Sequence, residues 1–249
     1  MLQLEQVCFK YPSGTVALEN ISFRGAAGEL LLILGHNGAG KSTLLKLLNG
    51  IQKPVSGKVM ISGLDTREHT TADLARKVAV TFQNPGDQIF ASTVEREVAF
   101  GPESLKRLDS MALVESSLRL FNLEKQRTMH PYDLPPSQRK LVTIASAAAM
   151  GSSLLAFDEP SAGLSIPERN ILAQGFRKLA EHADRLLLVV SHDLDLFLPL
   201  ASRVLMLDRG SLVFYGMPGL ILEQPSILRT YRLKLPLSMR LKQLLAHTA

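Results

Sequence analysis

The sequence contains very little cysteine, no tryptophan and no long apolar run. Cys8 is the one cysteine among 249 residues, and tryptophan is absent. A single cysteine cannot form an internal disulfide, which excludes the class of small disulfide-stabilised domains. Cys8 lies in an alternating apolar neighbourhood (Leu2, Leu4, Val7, Phe9) that predicts an early strand and a packing role.

No segment has the composition of a membrane span or a signal peptide. The longest uncharged stretch, residues 141–157, is interrupted by Thr143, Ser146 and Gly151 and falls short of the about 20 apolar residues that a spanning helix needs. It is instead predicted to form a helix, a turn and a buried strand. The first residues lack a basic start and a continuous apolar stretch. We therefore expect a cytoplasmic chain, and work at a membrane would need a partner that spans it.

The positive charge is concentrated towards the C-terminus. The formal net charge is +5, and the residues from 203 onward carry an excess of the same size. This region contains Arg203, Arg209, Arg229, Arg232, Lys234, Arg240 and Lys242 against Asp208 and Glu223. A solvated basic tail is favoured over docking to an acidic partner or the membrane surface. Beyond residue 216 Tyr231 is the only aromatic residue, so a nucleic-acid partner is not expected.

Four short apolar runs predict a parallel sheet that is covered on both faces. They are residues 30–34, 78–82, 154–157 and 186–190. Each run ends at residues whose side chains or backbone could bind a ligand or take part in a reaction. Ligands of open α/β sheets bind outside the carboxyl ends of the strands. The four endings are therefore expected to converge on one crevice. They are the loop 35–43, Gln83, Asp158 with Glu159, and Ser191 with His192.

Three further patterns predict local structure. Apolar residues at three- and four-residue spacing between 105 and 121 predict a helical insertion. A serine, proline and glutamate at 165, 167 and 168 predict a capped helix start. Two apolar runs around residues 208–211 predict a hairpin. The apolar residues of the insertion are Leu105, Leu108, Met111, Val114, Leu118 and Phe121.

A complete phosphate-binding loop follows the first apolar run. Glycines let successive backbone N–H groups approach phosphate oxygens, while the lysine supplies a positive charge and the serine a hydroxyl for Mg²⁺. The following helix adds the positive end of its dipole. The loop predicts ATP binding with Mg²⁺. Its residues are Gly35, His36, Asn37, Gly38, Ala39, Gly40, Lys41, Ser42 and Thr43.

Carboxylates at a second strand end extend this site. Asp158 is placed to hold the metal, and Glu159 projects differently, towards an attacking water. A turn or capping role for the pair before Pro160 is the alternative. Gln83 and His192 are weak signals alone, because a single histidine is usually structural. Their order and their placement at strand ends strengthen both.

Together these residues resemble the ATP-binding cassette (ABC) family over nearly the whole chain. The resemblance implies an α/β cassette over residues 1–225, with a RecA-like parallel-sheet core and an N-terminal antiparallel β subdomain. A helical subdomain is expected at about residues 89–150, and a basic extension at 226–249. Tyr11 matches the aromatic residue that stacks on adenine, and Ser42, Gln83 and Asp158 would organise Mg²⁺. Lys41, Glu159 and His192 would act in catalysis.

Three short sequence segments resemble the ATPases of energy-coupling-factor importers for cobalt, nickel or vitamins. They are residues 49–54, 82–90 and 98–102. The resemblance implies a peripheral ATPase on the cytoplasmic face of the membrane, paired with a second ABC ATPase subunit and an integral membrane subunit. Two alternatives stay open: a weakly hydrolysing regulatory partner, and a non-transport ABC ATPase.

Two segments depart from the family pattern. Its signature, Leu-Ser-Gly-Gly-Gln, is matched by residues 134–138, where Pro135 and Pro136 remove two backbone donors and Pro135 also replaces a serine hydroxyl. The D-loop, residues 161–165, ends in Ser165 where the family has aspartate. We therefore expect weak γ-phosphate binding by this half-site and favour a heterodimer with an intact partner. A homodimer is the alternative.

Overall fold

The chain forms two β-sheets with helices around them in this computed structural model, which describes residues 1–230 and Pro236. The predicted basic extension, residues 226–249, lies mostly outside the described residues. Its charged residues Arg232, Lys234, Arg240 and Lys242 are among those outside.

The N-terminal sheet is antiparallel and has the strand order β2-β1-β4-β5. In β1 the apolar residues Leu2, Leu4, Val7 and Phe9 are buried, because one face of the sheet packs on the core while the other meets solvent. The predicted early strand is therefore confirmed. The four strands are β1 (Leu2–Lys10), β2 (Val16–Gly25), β4 (Ser56–Ile61) and β5 (Leu64–Asp65).

The larger sheet has the strand order β10-β9-β3-β8-β7-β6. Pairing is parallel from β9 to β6, and β10 joins β9 as the predicted antiparallel hairpin. Every residue of β3, β7 and β8 is buried, which explains why all of them except Asp158 are apolar. The strands are β3 (Leu30–Leu34), β6 (Val78–Thr81), β7 (Leu154–Asp158), β8 (Leu186–Val190), β9 (Arg203–Asp208) and β10 (Ser211–Gly216).

The two faces of the larger sheet contact different partners. Leu30, Leu32 and Leu34 share a cluster with the helices that follow β6 and β7, whereas Leu31 and Ile33 share one with α1 and the N-terminal sheet. The helices are α1 (Lys41–Leu48), α2 (Thr71–Ala75), α3 (Val94–Ser104), α4 (Ser110–Leu120), α5 (Pro136–Ala149), α6 (Ile166–Ala180), α7 (Leu194–Phe197), α8 (Pro218–Leu222) and α9 (Pro225–Thr230).

The insertion is helical, as its apolar spacing predicted, but not as one continuous helix. The helical structure is interrupted between α3 and α4. Leu108 in this interruption and Met111 in the first turn of α4 are exposed by 106% and 82%. These two apolar residues therefore do not belong to the buried face that contains Val114, Leu118 and Phe121. The helix predicted after Ser165 is confirmed as α6, whose Glu168 accepts hydrogen bonds from the backbone N–H and hydroxyl of Ser165.

Candidate functional site

The glycine-rich loop connects the buried strand β3 to helix α1, as predicted. Gly35 and Gly40 have φ values of 146° and 103°, which L-residues with a side chain rarely adopt. A Cβ at Gly40 would also lie 2.5 Å from the carbonyl oxygen of Ala17. Glycine is therefore required at these positions by the path of the loop.

The lysine of this loop is almost fully buried. Lys41 is 8% exposed, and its Nζ donates to the carbonyl oxygens of Gly35 and His36, at 2.5 and 3.0 Å. Burial lowers the pKa of Lys41, against the opposing effect of the carboxylates of Glu159 and Asp158. A desolvated ammonium interacts more strongly with an anion than an exposed lysine does, because the local dielectric constant is lower.

The end of β7 brings a carboxylate pair to the start of α1. Ser42 Oγ donates to Asp158 Oδ2 at 2.8 Å, although the two residues are far apart in the chain. Glu159 follows with φ 49°, a left-handed conformation unusual for a residue with a side chain. The carboxylate of Asp158 thus contacts Ser42, whereas that of Glu159 lies beside His192.

Glu159 faces His192 from the neighbouring strand. Pairing of Asp158 with Val190 aligns the ends of β7 and β8, and His192 Nε2 lies 3.5 Å from Glu159 Oε1. This Oε1 is buried and has no hydrogen-bond partner within the described part of the chain. Burial raises the pKa of Glu159, and burial together with Lys41 lowers the pKa of His192. Glu159 Oε1 is thus a buried acceptor beside the His192 ring whose hydrogen-bonding capacity is unsatisfied among the described residues.

A cleft of about 700 Å³ joins most of the predicted site residues. Gln83 lies on its wall after β6, and Tyr11 lies on the wall formed by the N-terminal sheet, where its hydroxyl is 2.8 Å from Thr43 Oγ1. The predicted residues that line the cleft are Tyr11, Asn37, Gly38, Gly40, Lys41, Ser42, Thr43, Gln83, Asp158, Glu159 and His192.

Three predicted loop residues do not line the cleft. Gly35 and Ala39 are buried in the loop itself, and His36 turns away, with its Nε2 2.7 Å from Asp208 Oδ1 at the end of β9. Conversely, Thr15, Val16, Ala17 and Ala162 line the cleft without having been predicted. Thr15 precedes β2, Val16 and Ala17 begin it, and Ala162 follows Glu159 by three residues; this proximity was the available signal.

The segment that departs from the family signature forms the start of α5. Pro135 precedes the helix, and Pro136 is its first residue. Arg139 N–H donates to the carbonyl of Pro135 at 3.0 Å, which completes the first turn. Ser137 turns its hydroxyl to Glu168 Oε1 at 2.6 Å. The prolines are thus compatible with the helix while supplying no N–H at its start.

Comparison with known proteins identifies the family. Residues 18–162 match the family described as ABC transporter. The chain belongs to this family. The predicted resemblance and the predicted α/β cassette fold are therefore confirmed.

Two similar proteins are named as ATP-binding proteins of energy-coupling factor transporters. The chain is 37% identical over 240 residues to the energy-coupling factor transporter ATP-binding protein EcfA1 of Methanospirillum hungatei, covering 95% of this chain and 86% of that protein. It is 34% identical over 252 residues to EcfA of Methanococcus maripaludis, covering 98% and 89%.

Solved structures agree with this assignment. The fold is similar to cbiO1 from Clostridium perfringens, described as part of the ABC transporter complex cbiONQ, with a TM-score of 0.81, 27% identity and coverage of 97% of this chain and 98% of that chain. It is also similar to the ATP-binding cassette MJ0796, described as a dimer bound to ADP and Pi, with a TM-score of 0.79, 25% identity and coverage of 88% and 99%.

Proposed function

We propose that this ABC protein is the ATP-binding and ATP-hydrolysing subunit of an energy-coupling-factor importer for a metal ion or a vitamin. The observation that carries the proposal is the cleft in which Lys41, Ser42 and Asp158 lie beside Glu159 and His192. The names of the EcfA relatives and of cbiO1 support the type of importer. We also infer that residues 1–225 act as the cassette, with 89–150 as its helical subdomain.

The residues of the cleft fit ATP and Mg²⁺. A Cβ at Gly38 would meet no atom within 4 Å, so the loop backbone is open to a ligand at this point. The Ser42 hydroxyl and the Asp158 carboxylate are hard oxygen donors 2.8 Å apart. Among the described residues, no group of three or more His, Cys, Asp or Glu side chains is arranged to hold a metal ion, so Mg²⁺ at this site would take its remaining ligands from phosphates and water. Bound Mg²⁺ would neutralise charge that develops on the phosphates.

Each side chain of the site then has a distinct task. Lys41 would bind the β- and γ-phosphates, and the Glu159 carboxylate would accept a hydrogen bond from the attacking water. His192 would contact the γ-phosphate, and Gln83 would complete the surroundings of Mg²⁺ together with Ser42 and Asp158. These roles separate binding, orientation of water and sensing of the terminal phosphate.

Adenine would lie on the wall formed by the N-terminal sheet. The Tyr11 ring packs edge-on against Phe9 with centroids 4.9 Å apart, and its hydroxyl contacts Thr43 Oγ1. These two contacts fix the ring plane at the edge of the cleft. A fixed aromatic ring offers a stacking surface at little entropic cost.

A second ABC ATPase subunit would complete the site. In this family arrangement the start of α5 of one subunit faces the nucleotide of the other. Pro135 and Pro136 lack N–H groups, so the signature of this chain would bind the partner's nucleotide weakly. An intact signature on the partner would bind the nucleotide of this chain better. We therefore favour a heterodimer with a paralogous ATPase over a homodimer. A weakly hydrolysing regulatory subunit is the second candidate, and the same prolines favour it.

The membrane subunit would dock beside Gln83. Phe90 and Phe100 are exposed by 64% and 51%, and their rings meet edge to face at 4.6 Å beside a cleft of about 420 Å³. None of the described helices combines the length and apolar composition needed to cross a bilayer. We infer that the chain is held at the cytoplasmic face of the membrane by this contact, and that the membrane subunits choose the substrate.

Co-expression with candidate partners tests the proposal. The neighbouring coding regions supply candidate ATPase and membrane subunits, and the tagged chain is expected to purify with both and to hydrolyse ATP. A complex that contains Glu159→Gln is the control for activity, and Phe90→Ser is the control for docking. Fast hydrolysis by the isolated chain would refute the preferred heterodimer. Failure to bind any membrane subunit would favour a non-transport ABC ATPase.

A further inference from the structure

Helix α5 carries a buried lysine that the proposed chemistry does not use. Lys140 is 6% exposed, and its Nζ donates to the backbone carbonyl of Glu159 at 2.8 Å. The Ala162 N–H donates to the same carbonyl at 3.2 Å, so both acceptor positions of this oxygen are used. Because a buried charge is costly without a partner, this contact accounts for the position of the ammonium.

The peptide that Lys140 contacts has an unusual conformation. Glu159 has φ 49°, in the left-handed region that costs a residue with a side chain about 1–2 kcal/mol. Its N–H donates to the carbonyl of Val190 at 2.8 Å. Among the described residues, the contacts of the carboxylate itself are longer: the His192 N–H donates to it at 3.4 Å, and His192 Nε2 lies 3.5 Å from Oε1. The backbone contacts therefore contribute more than the side-chain contacts to fixing the direction of the Glu159 carboxylate.

The same helix also contacts Glu168, which lies three residues after the D-loop. Ser137 Oγ donates to Glu168 Oε1 at 2.6 Å, and Lys140 lies about one turn further along α5. One rigid helix thus contacts Glu159 before the D-loop and Glu168 after it. Its first turn is also the segment that would face the nucleotide of a partner subunit.

We propose that Lys140 is a positioning residue that holds the Glu159 peptide and so links the signature segment of α5 to the catalytic glutamate of the same subunit. The inference rests on the proposed hydrolytic role of Glu159. Lys140 does not touch the nucleotide in this arrangement. Its effect on turnover would come from the direction of the Glu159 side chain alone.

Kinetics of Lys140→Met test this role in the complex with the partner ATPase. Methionine has a similar length and keeps the site filled but cannot donate. Since small misplacements of catalytic groups can cost about 100-fold, we expect kcat to fall about 10- to 100-fold while KM for ATP is unchanged. Lys140→Arg retains a cationic donor and is expected to recover part of the loss. Thr143→Val, which removes a buried hydroxyl bonded to the Lys140 carbonyl, controls for altered packing of α5 and is expected to keep kcat.

A second measurement needs no hydrolysis. The chain is labelled with glutamate carrying ¹³C at the backbone carbonyl, and the Glu159 resonance is assigned by its absence in Glu159→Gln. Loss of the lysine donor is expected to shift this resonance in Lys140→Met and not in Thr143→Val. An unshifted resonance or an unchanged kcat in Lys140→Met overturns the proposal. If the wild-type complex does not hydrolyse ATP, the proposed function fails, whereas the carbonyl shift still decides whether Lys140 holds the peptide.

Discussion

Restoring the signature segment is expected to raise ATP hydrolysis by the chain alone. The change is Pro135→Ser together with Pro136→Gly. Both prolines are exposed at the start of α5, so the new side chains meet no packed neighbours. Serine adds a hydroxyl and an N–H, and glycine adds a further N–H. These donors are the groups that the family signature offers to the γ-phosphate of the opposite subunit.

The size of the effect follows from two opposing stability terms and one catalytic term. Loss of the proline at the first helical position destabilises by about 0.4–1 kcal/mol, and a serine N-cap contributes about 1 kcal/mol, so Tm should change little. One donor directed at transition-state charge typically contributes about 100-fold to kcat. We therefore expect the double variant to hydrolyse ATP at least about 100-fold faster than the unmodified chain.

Phosphate release by the purified chain at saturating MgATP measures this effect. Rates are recorded over a range of chain concentrations, because a dimer-dependent reaction rises faster than linearly. The same double variant with Glu159→Gln is the control and should be inactive. A double variant that dimerises with ATP yet hydrolyses no faster than the unmodified chain would refute the reasoning from the two prolines.

Three further outcomes are expected. Glu159→Gln should retain ATP binding but trap an ATP-bound dimer, seen as a larger species in gel filtration with ATP; unaltered turnover would contradict its role. Tyr11→Ala should weaken ATP binding about tenfold, since base stacking on an aromatic ring contributes about 1–3 kcal/mol; Tyr11→Phe is the control, and equal Kd values for the alanine variant and the wild type in a nucleotide titration would contradict adenine stacking. Burial opposes ionisation of Glu168, but hydrogen bonds from Ser137 and Ser165 lower its pKa below the ordinary 4.5; its stabilising effect should therefore be complete above pH 4.5 and be lost as pH falls further. The difference in unfolding free energy between wild type and Glu168→Gln should shrink in denaturant titrations at acid pH, and a constant difference would contradict this.

The central strands could be predicted from the sequence because their burial is uniform. A strand that is covered on both faces favours apolar residues throughout, and β3, β7 and β8 consist of them except for Asp158 at the end of β7. Polar residues immediately after such strands then mark the carboxyl edge of the sheet. The sequence alone therefore predicts that four residues lie close together at this edge: Lys41, Asp158, Glu159 and His192.

The contacts that fix these side chains could not be predicted in the same way. His36 was predicted within the phosphate loop, but its ring contacts Asp208, which is remote in the chain. Leu108 and Met111 fitted the helical spacing, yet Leu108 lies between α3 and α4, Met111 lies in the first turn of α4, and both are exposed. Periodicity describes one element at a time, whereas these outcomes depend on which elements meet.

The sequence around Lys140 indicates a buried contact but not the identity of the contact partner. Lysine is almost never fully buried unless it is paired, but position 140 shares a face of α5 with the buried residues Ile144 and Ala148 at four-residue spacing. A lysine in an apolar stripe predicts a buried partner without naming it. The structure supplies the partner as the Glu159 carbonyl.

The first turn and the interior of helix α5 have different contacts. Its exposed first turn, with Pro135 and Pro136, lacks donors for a nucleotide on another subunit, whereas its buried turn retains the Lys140 contact to the chain's own Glu159. The combination favours a subunit that hydrolyses ATP at its own loop and contributes little to hydrolysis at the loop of its partner.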